Sequence, residues 1–247
     1  MDIGRANCIT LRIWGDYACF TRPEMKVERV SYPLMTPSAA RGVLEAVFWE
    51  PQMCYVIDRI AVVKRGRWFS FRRNEVTSVI GIDQARSWML GKTPVKFIAA
   101  GGGAEDAAQR NMLALADVEY MVTAEVRLTN RAEPPRDTIA KYVGEIRRRA
   151  AKGKCFHRPA LGCREFAADF DWVEETARVQ LDKNWPEEDL GLMLYDVFDH
   201  PLRQAATNDQ RHVKPGAVFF KAKVKDAVLD CHPDRVELVR PKAKEVG

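Results

Sequence analysis

The sequence predicts an α+β fold: a ferredoxin-like (RRM-like), split βαβ domain followed by a small antiparallel β-sheet extension at the C-terminus. Three observations predict it. Apolar residues alternate from Cys8 to Phe20 and from Met112 to Leu128, the period of half-buried strands. Two other stretches, Ala39 to Val47 and Ile139 to Ile146, repeat their apolar residues at helical spacing. The resulting order is strand, helix, paired strands, strand, helix, strand, with β-rich segments after it.

Taken in order, Ile9, Leu11 and Ile13 fall on one side of the first strand and Thr10, Arg12 and Trp14 on the other. Val27 to Tyr32 is a short second strand ended by Pro33. Thr36 is an N-cap and Pro37 the first helical residue, with Ala39, Ala40, Val43, Leu44 and Val47 on the apolar face of a helix closing at Trp49-Glu50-Pro51. Met53 to Val63 and Trp68 to Phe71 are β-rich around Arg65-Gly66, so a hairpin with a basic tip is expected there. Asp83 to Leu90 reads as a helix, and Gly101-Gly102-Gly103 as a loop. No Lys-Ser or Lys-Thr follows those glycines, which excludes a phosphate-cradling P-loop. Val118, Tyr120, Val122, Ala124, Val126 and Leu128 share one parity of a long strand, and Pro134-Pro135 lies in the connector after it. Asp137 to Ala151 is an amphipathic helix, with Arg147-Arg148-Arg149 where cations suit its dipole and Gly153 stopping it. Leu161 to Phe170 and Leu190 to Phe198 are expected strands; Ala217 to Val224 and Val236 to Val239 form the C-terminal β unit. The expected division is a main domain over 1–205, carrying the basic hairpin, and the small extension over 206–247.

Composition narrows the function. With 247 residues, 47% apolar and 30% charged, the chain is outside the disordered, collagen-like and disulfide-stapled classes. No run approaches the ~18 apolar residues of a membrane span, and the N-terminus has no signal-peptide pattern, so a cytoplasmic protein without a membrane partner is expected. Cys8, Cys19, Cys54, Cys155, Cys163 and Cys231 lack CxxC spacing. Cys155, His157 and Cys163 match no standard zinc module, so neither metal nor cofactor is expected. The net charge of +5 is mild, but its distribution is polarised. Residues 59–73 hold Arg59, Lys64, Arg65, Arg67, Arg72 and Arg73 without an acid; residues 141–158 hold seven cations against Glu145; residues 165–200 have a net charge of −9. Two basic segments on one fold suit a polyanion binder if they share a face, the alternative being an ordinary solvated surface.

The segment from Lys152 to Phe166 carries the chemistry. His157, flanked by Lys154 and Arg158 on a Gly/Pro-bounded loop, has the parts for acid–base work beside a phosphate. In metal-independent RNA cleavage a base takes the 2′-hydroxyl proton, that oxygen attacks phosphorus, and cations stabilise the phosphoryl oxygens. His157 fits the base, with Lys154 and Arg158 as stabilisers; the alternative is a histidine that merely packs in a loop. His212 beside Arg211 could touch a phosphate, whereas His200 and His232 precede prolines and read as structural or exposed. Glu174-Glu175 and Glu187-Glu188-Asp189 read as solvated acidic runs, not a two-metal site.

Several of these stretches together resemble a known family. Ser38 to Pro51 (SAARGVLEAVFWEP), Ile57-Asp58-Arg59-Ile60, Arg72 to Val76, Gln109-Arg110-Asn111, His157-Arg158-Pro159 and Leu161 to Phe166 are similar, in this order, to the CRISPR-associated family-five protein, subtype d, of type I-C (Dvulg) systems. The resemblance implies a RAMP-superfamily fold, ferredoxin-like with a C-terminal β extension, that cuts CRISPR precursor RNA without a metal and stays on the 5′ handle inside Cascade. It implies as partners the CRISPR repeat RNA and crRNA and the backbone and large subunits of that complex. The family's catalytic set is a helix tyrosine with a lysine and a histidine before Gly-x-Arg-Glu-Phe. Here Phe48 stands at the tyrosine position, the histidine carries over to His157, Lys154 or Arg158 stands in for the lysine, and Tyr55 is the nearest phenol. The expected RNA contacts are Arg41, Arg59, Arg65, Arg67, Arg72, Arg73 and Arg110, with Arg147, Arg148 and Lys152 at the helix end. The competing readings are a non-catalytic subunit holding the 5′ handle and a duplex DNA binder using the same phosphate contacts.

Overall fold

The structure, a computed structural model, describes residues 7–101, 103–174, 179–182, 184–185, 187–197 and 216–240. Its centre is one long strand, β5 (Ala107–Leu128). The even-numbered residues Val118 to Val126 of β5 are buried, as their shared parity predicts. β1 (Cys8–Ala18) pairs antiparallel along one side of β5, placing Ile9, Leu11 and Ile13 beside Ala124, Val122 and Tyr120. β3 (Met53–Lys64) pairs antiparallel along the other side. α1 (Pro37–Val47) and α3 (Ile139–Ala150) pack on this sheet and touch each other, closing one apolar core. Thr36 caps α1 by accepting from the Ala39 amide at 3.2 Å, and Thr138 caps α3 by accepting from Lys141 at 3.2 Å.

The expected hairpin over 53–71 is not there. β4 (Arg67–Val76) continues in the direction of β3, and both pair antiparallel with β5, Lys64 opposite Glu119 and Arg67 opposite Ala116. A tight two-residue hairpin turn of the favoured kind needs left-handed φ at both central residues, or glycine at the first. At Arg65-Gly66 only Gly66 has it (φ +77°), and Asp117 opposite adopts φ +56°, so the pair makes an irregularity in one long ribbon. The reversal lies further on, over residues 77–106, which hold α2 (Ile82–Met89) close to the expected place. The basic residues therefore line a strand and do not crowd a tip.

Two more expectations change. β2 is only Arg29–Val30, parallel to β5. Leu161 to Phe170 is not a strand: Gly162 takes φ +86°, Leu161 donates to the Phe166 carbonyl at 2.8 Å, and Phe166 donates to that of Cys163 at 3.0 Å, closing a loop before β6 (Asp169–Trp172). β7 (Glu188–Asp196), β8 (Val218–Lys225), β9 (Val228–Asp230) and β10 (Leu238–Val239) form the antiparallel C-terminal part. It is continuous with the main sheet, because β9 pairs with β3, and the order is β10-β8-β9-β3-β5-β1-β6. The expected boundary at 205/206, and His200 and His212, lie outside the described residues. His232 is buried, beside Glu125 at 3.5 Å and Arg127 at 3.3 Å, which bears out its structural reading. Among the described residues no helix is long and apolar enough to cross a membrane.

Two predictions follow from the packing. A Cβ at Gly162 would stand 2.0 Å from the Cys19 carbonyl oxygen at a left-handed φ, so Gly162→Ala should lower stability by at least ~2 kcal/mol in urea unfolding. Asp137 accepts from the Tyr142 hydroxyl at 2.6 Å, the Glu133 amide at 3.0 Å and Lys141 at 3.0 Å, which hold its carboxyl well below the usual range. A depressed carboxylate stabilises the fold above its unfolded pKa of ~3.9 and loses that contribution as pH falls below it. The stability gap between the native chain and Asp137→Asn should therefore be full at pH 7 and shrink progressively below pH ~4.

Candidate functional site

The loop after α3 is held at both ends by backbone. α3 closes at Gly153 (φ +61°), and the Lys154 amide donates back to the Arg149 carbonyl at 2.9 Å. The amides of Phe156 and His157 both donate to the Ala46 carbonyl in the last turn of α1, at 2.8 and 3.2 Å, using a carbonyl the helix leaves unpaired. Further along, the Cys19 amide donates to Leu161 at 3.0 Å and Ala168 to Pro159 at 2.9 Å. His157 is thereby set against α1, and Gly162 against the end of β1.

Between the loop and α1 lies a cleft of about 900 Å3. Its walls include Ser38, Ala39, Gly42 and Ala46 from one face of α1, His157, Arg158, Gly162 and Arg164 from the loop, and Leu194 and Val197. Gly42 leaves open space where a side chain would stand. His157 is exposed at the cleft, beside the ring of Phe156 at 5.7 Å. Arg158 is also exposed there and reaches Asp169 at 2.6 Å. Lys154 is exposed but does not line the cleft.

Tyr55 is not brought to the cleft. It is a core residue whose hydroxyl donates to the Phe48 carbonyl at 2.9 Å, and burial pushes its pKa up, so it cannot supply a phenol there. Phe48 caps the end of α1, buried against the Tyr142 ring at 6.3 Å, with Arg149 over its own ring at 5.2 Å. The hydroxyls lining the cleft are those of Thr21, Thr36 and Ser38. Arg41 lines it too, but its side chain is only 12% exposed and is occupied with Asp196 at 2.8 and 3.0 Å and Glu45 at 2.7 Å.

The expected continuous basic face is largely covered, because the acidic segment folds onto the basic ones. Arg65 meets Glu188 at 3.2 Å and stacks on Trp185; Arg73 meets Glu75 and Glu165; Arg147 meets Glu174 at 2.7 Å. Arg148 pairs with Glu145, Arg59 approaches Asp58 at 3.9 Å, and Arg110 approaches Glu28 at 3.9 Å. Among the described residues Arg67, Arg72, Lys152, Lys154 and Arg164 make no ion pair. Arg164 was missed by residue-level reasoning. Its signal was its place two residues after a glycine that must be left-handed, which fixes the loop bend beside the histidine. Cys163 sits under that bend, its thiol pKa lowered by the contact with Cys19 and by Arg29 at 3.2 Å. No cluster of metal-ligating side chains occurs among the described residues.

With this arrangement in view, comparison with known proteins is direct. The family profile described as "CRISPR-associated protein (Cas_Cas5)" matches residues 8–232, and the chain belongs to that family. The match is to the Cas5d branch, where two curated relatives fall. A protein of Mannheimia succiniciproducens named "CRISPR pre-crRNA endoribonuclease Cas5d" is 40% identical over 239 residues, covering 95% of this chain and 99% of the relative. A Thermus thermophilus protein of the same name is 36% identical, covering 93% of each. Among solved structures, "Crystal Structure of CRISPR-associated Protein" superposes with a TM-score of 0.59 at 19% identity over 90% of both chains. A Streptococcus mutans protein described as functionally uncharacterized gives 0.61 at 21% identity, over 93% of this chain and 95% of that one. These two share the fold.

The Arg41 pair gives a stability prediction. Removing one member of a mostly buried ion pair strands the other, so Arg41→Met should cost roughly 3 kcal/mol in urea unfolding, and Arg41→Met with Asp196→Leu should recover much of it.

Proposed function

We propose that this protein is a metal-independent, repeat-specific endoribonuclease that processes CRISPR precursor RNA in the cytoplasm. It then stays on the crRNA 5′ handle as a type I-C Cascade subunit, beside the backbone and large subunits, in antiviral defence. The observation that carries the reading is His157 exposed on a backbone-stapled loop at a cleft shared with Arg158 and Arg164, in a chain 40% identical to a protein named a pre-crRNA endoribonuclease. The ferredoxin-like reading of the core has support from the succession β1-α1-β3-β5-α3-β6 and the all-antiparallel order β6-β1-β5-β3.

In this mechanism the neutral imidazole of His157 takes the proton from the 2′-hydroxyl of the nucleotide 5′ to the cut. The freed oxygen attacks the adjacent phosphorus, the bond to the 5′-oxygen breaks, and that oxygen takes a proton from water while His157 returns its own to solvent, giving a 2′,3′-cyclic phosphate and a 5′-hydroxyl. Arg158, Lys154 and Arg164 are the cations for the phosphoryl oxygens. Arg65, Arg67, Arg72, Arg73, Arg147, Arg148 and Lys152, with Arg41, Arg59 and Arg110, remain proposed RNA contacts; those already paired would have to exchange a carboxylate for a phosphate. A second reading, a handle-binding subunit that does not cut, is favoured by one observation: neither Phe48 nor Tyr55 offers a phenol to the cleft.

The test is incubation of the purified chain with its cognate repeat RNA in EDTA. Cutting at a single site should persist, fall roughly 100- to 10,000-fold in His157→Ala, and vanish on RNA with a 2′-deoxy at the scissile nucleotide. Tight binding without cutting by the intact chain would overturn catalysis and leave the second reading.

A further inference from the structure

Away from the cleft wall, the junction of β1, β4 and β5 carries an unusual set of side chains. Directly paired residues on neighbouring strands point to the same face. Tyr17 of β1 and Arg67 of β4 are both paired with Ala116 of the strand between them, and the next rows place Phe69 beside Ala114 and Phe71 beside Met112. The buried alanines form a shallow floor, over which the flanking rings lean together. Tyr17 and Phe69 have centroids 5.4 Å apart, Phe69 stacks on Phe71 at 5.4 Å and 26°, and Phe166 closes the cluster 5.9 Å from Tyr17. Tyr17 remains 42% exposed and Phe69 39%, so the outer rings face solvent while Phe71 and Phe166 brace them.

The surroundings select the occupant. Arg67 is exposed and without an ion-pair partner among the described residues, while Asp117 is engaged by Lys64 at 3.1 Å and Glu165 by Arg29 at 3.4 Å. Phe166 belongs to the same loop as Gly162 and Arg164, which line the cleft, while the four rings themselves lie outside its wall. Aromatic faces next to a free cation suit a base with its own phosphate. We infer that Tyr17 and Phe69 form a stacking platform for an unpaired nucleobase of the RNA flanking the cleft, with Arg67 on its phosphate. The inference rests on the RNA-processing reading proposed above.

The test uses repeat RNAs carrying 2-aminopurine singly at each unpaired position flanking the stem, with the full chain and its Tyr17→Leu/Phe69→Leu variant, whose leucines keep apolar cover. Stacking in the intact chain should quench fluorescence at one position, and the variant should relieve it. The variant's affinity for RNA with unpaired flanks should fall roughly 5- to 100-fold, with its affinity for the trimmed stem unchanged. Persistent quenching in the variant, no quenching in the intact chain, or equal losses on both RNAs would overturn the platform; in each case RNA still binds, so the processing reading stands. If the intact chain neither binds nor cuts repeat RNA, the processing reading falls and the platform with it. Variant melting temperatures matching the intact chain would confirm that the readout concerns RNA.

Discussion

Everything in this fold hangs on the pairing of β5 with neighbours on both sides. Its 22 residues hold β1 along one edge, and β3 with its continuation β4 along the other. Packing of Val118 to Val126 into the main core fixes the register, because a one-residue slip would exchange these side chains with Glu119, Thr123 and Glu125. With β1 so fixed, Cys19 emerges where its amide and carbonyl receive the 160–166 loop. α1 follows β1 and presents the Ala46 carbonyl to the other end of that loop. His157 is thus anchored through backbone hydrogen bonds to an α1 whose own place is set by packing on the sheet.

Electrostatics has a second organising role. A sequence with basic segments and a strongly acidic one folds so that Glu165, Asp169, Glu174, Glu188 and Asp196 each meet a cation. Most of these pairs are exposed and contribute little to stability singly. Their effect is on the free surface, because they occupy most of the cations of the basic segments and leave Arg67 and Arg72 of β4 and Lys154 and Arg164 of the loop without an ion pair among the described residues. Arg41 differs, since its mostly buried pairs tie α1 to β7 and set one wall of the cleft.

Much of this was legible in the sequence for physical reasons. Thr36-Pro37 marked the start of α1 because a cap and a missing amide are local requirements, and the parity of Val118 to Val126 marked β5 because burial is periodic. The loop histidine was legible from its flanking cations and glycines. The β3–β4 continuation was not, since Arg65-Gly66 suits a turn or a bulge equally, and only a 22-residue partner strand decides between them. The loop over 161–166 read as a strand because its apolar content is real, but those side chains pack inward from a bend that Gly162 makes against Cys19. The burial of Tyr55 comes from its place in β3 opposite Val126, and the pairs of Arg65 with Glu188 and Arg41 with Asp196 join residues more than 100 positions apart, which periodicity does not encode.

On the processing reading, the scissile phosphate sits between the 157–164 loop and α1. Photocrosslinking tests it most directly: repeat RNA with a 2′-deoxy at the cut and a photoreactive nucleotide on either side is bound to the full chain, irradiated, and the modified peptides are identified by mass spectrometry. Crosslinks are expected in residues 36–46 and 156–166. Crosslinks confined to the opposite face of the sheet, around Arg12 and Trp14, would contradict it.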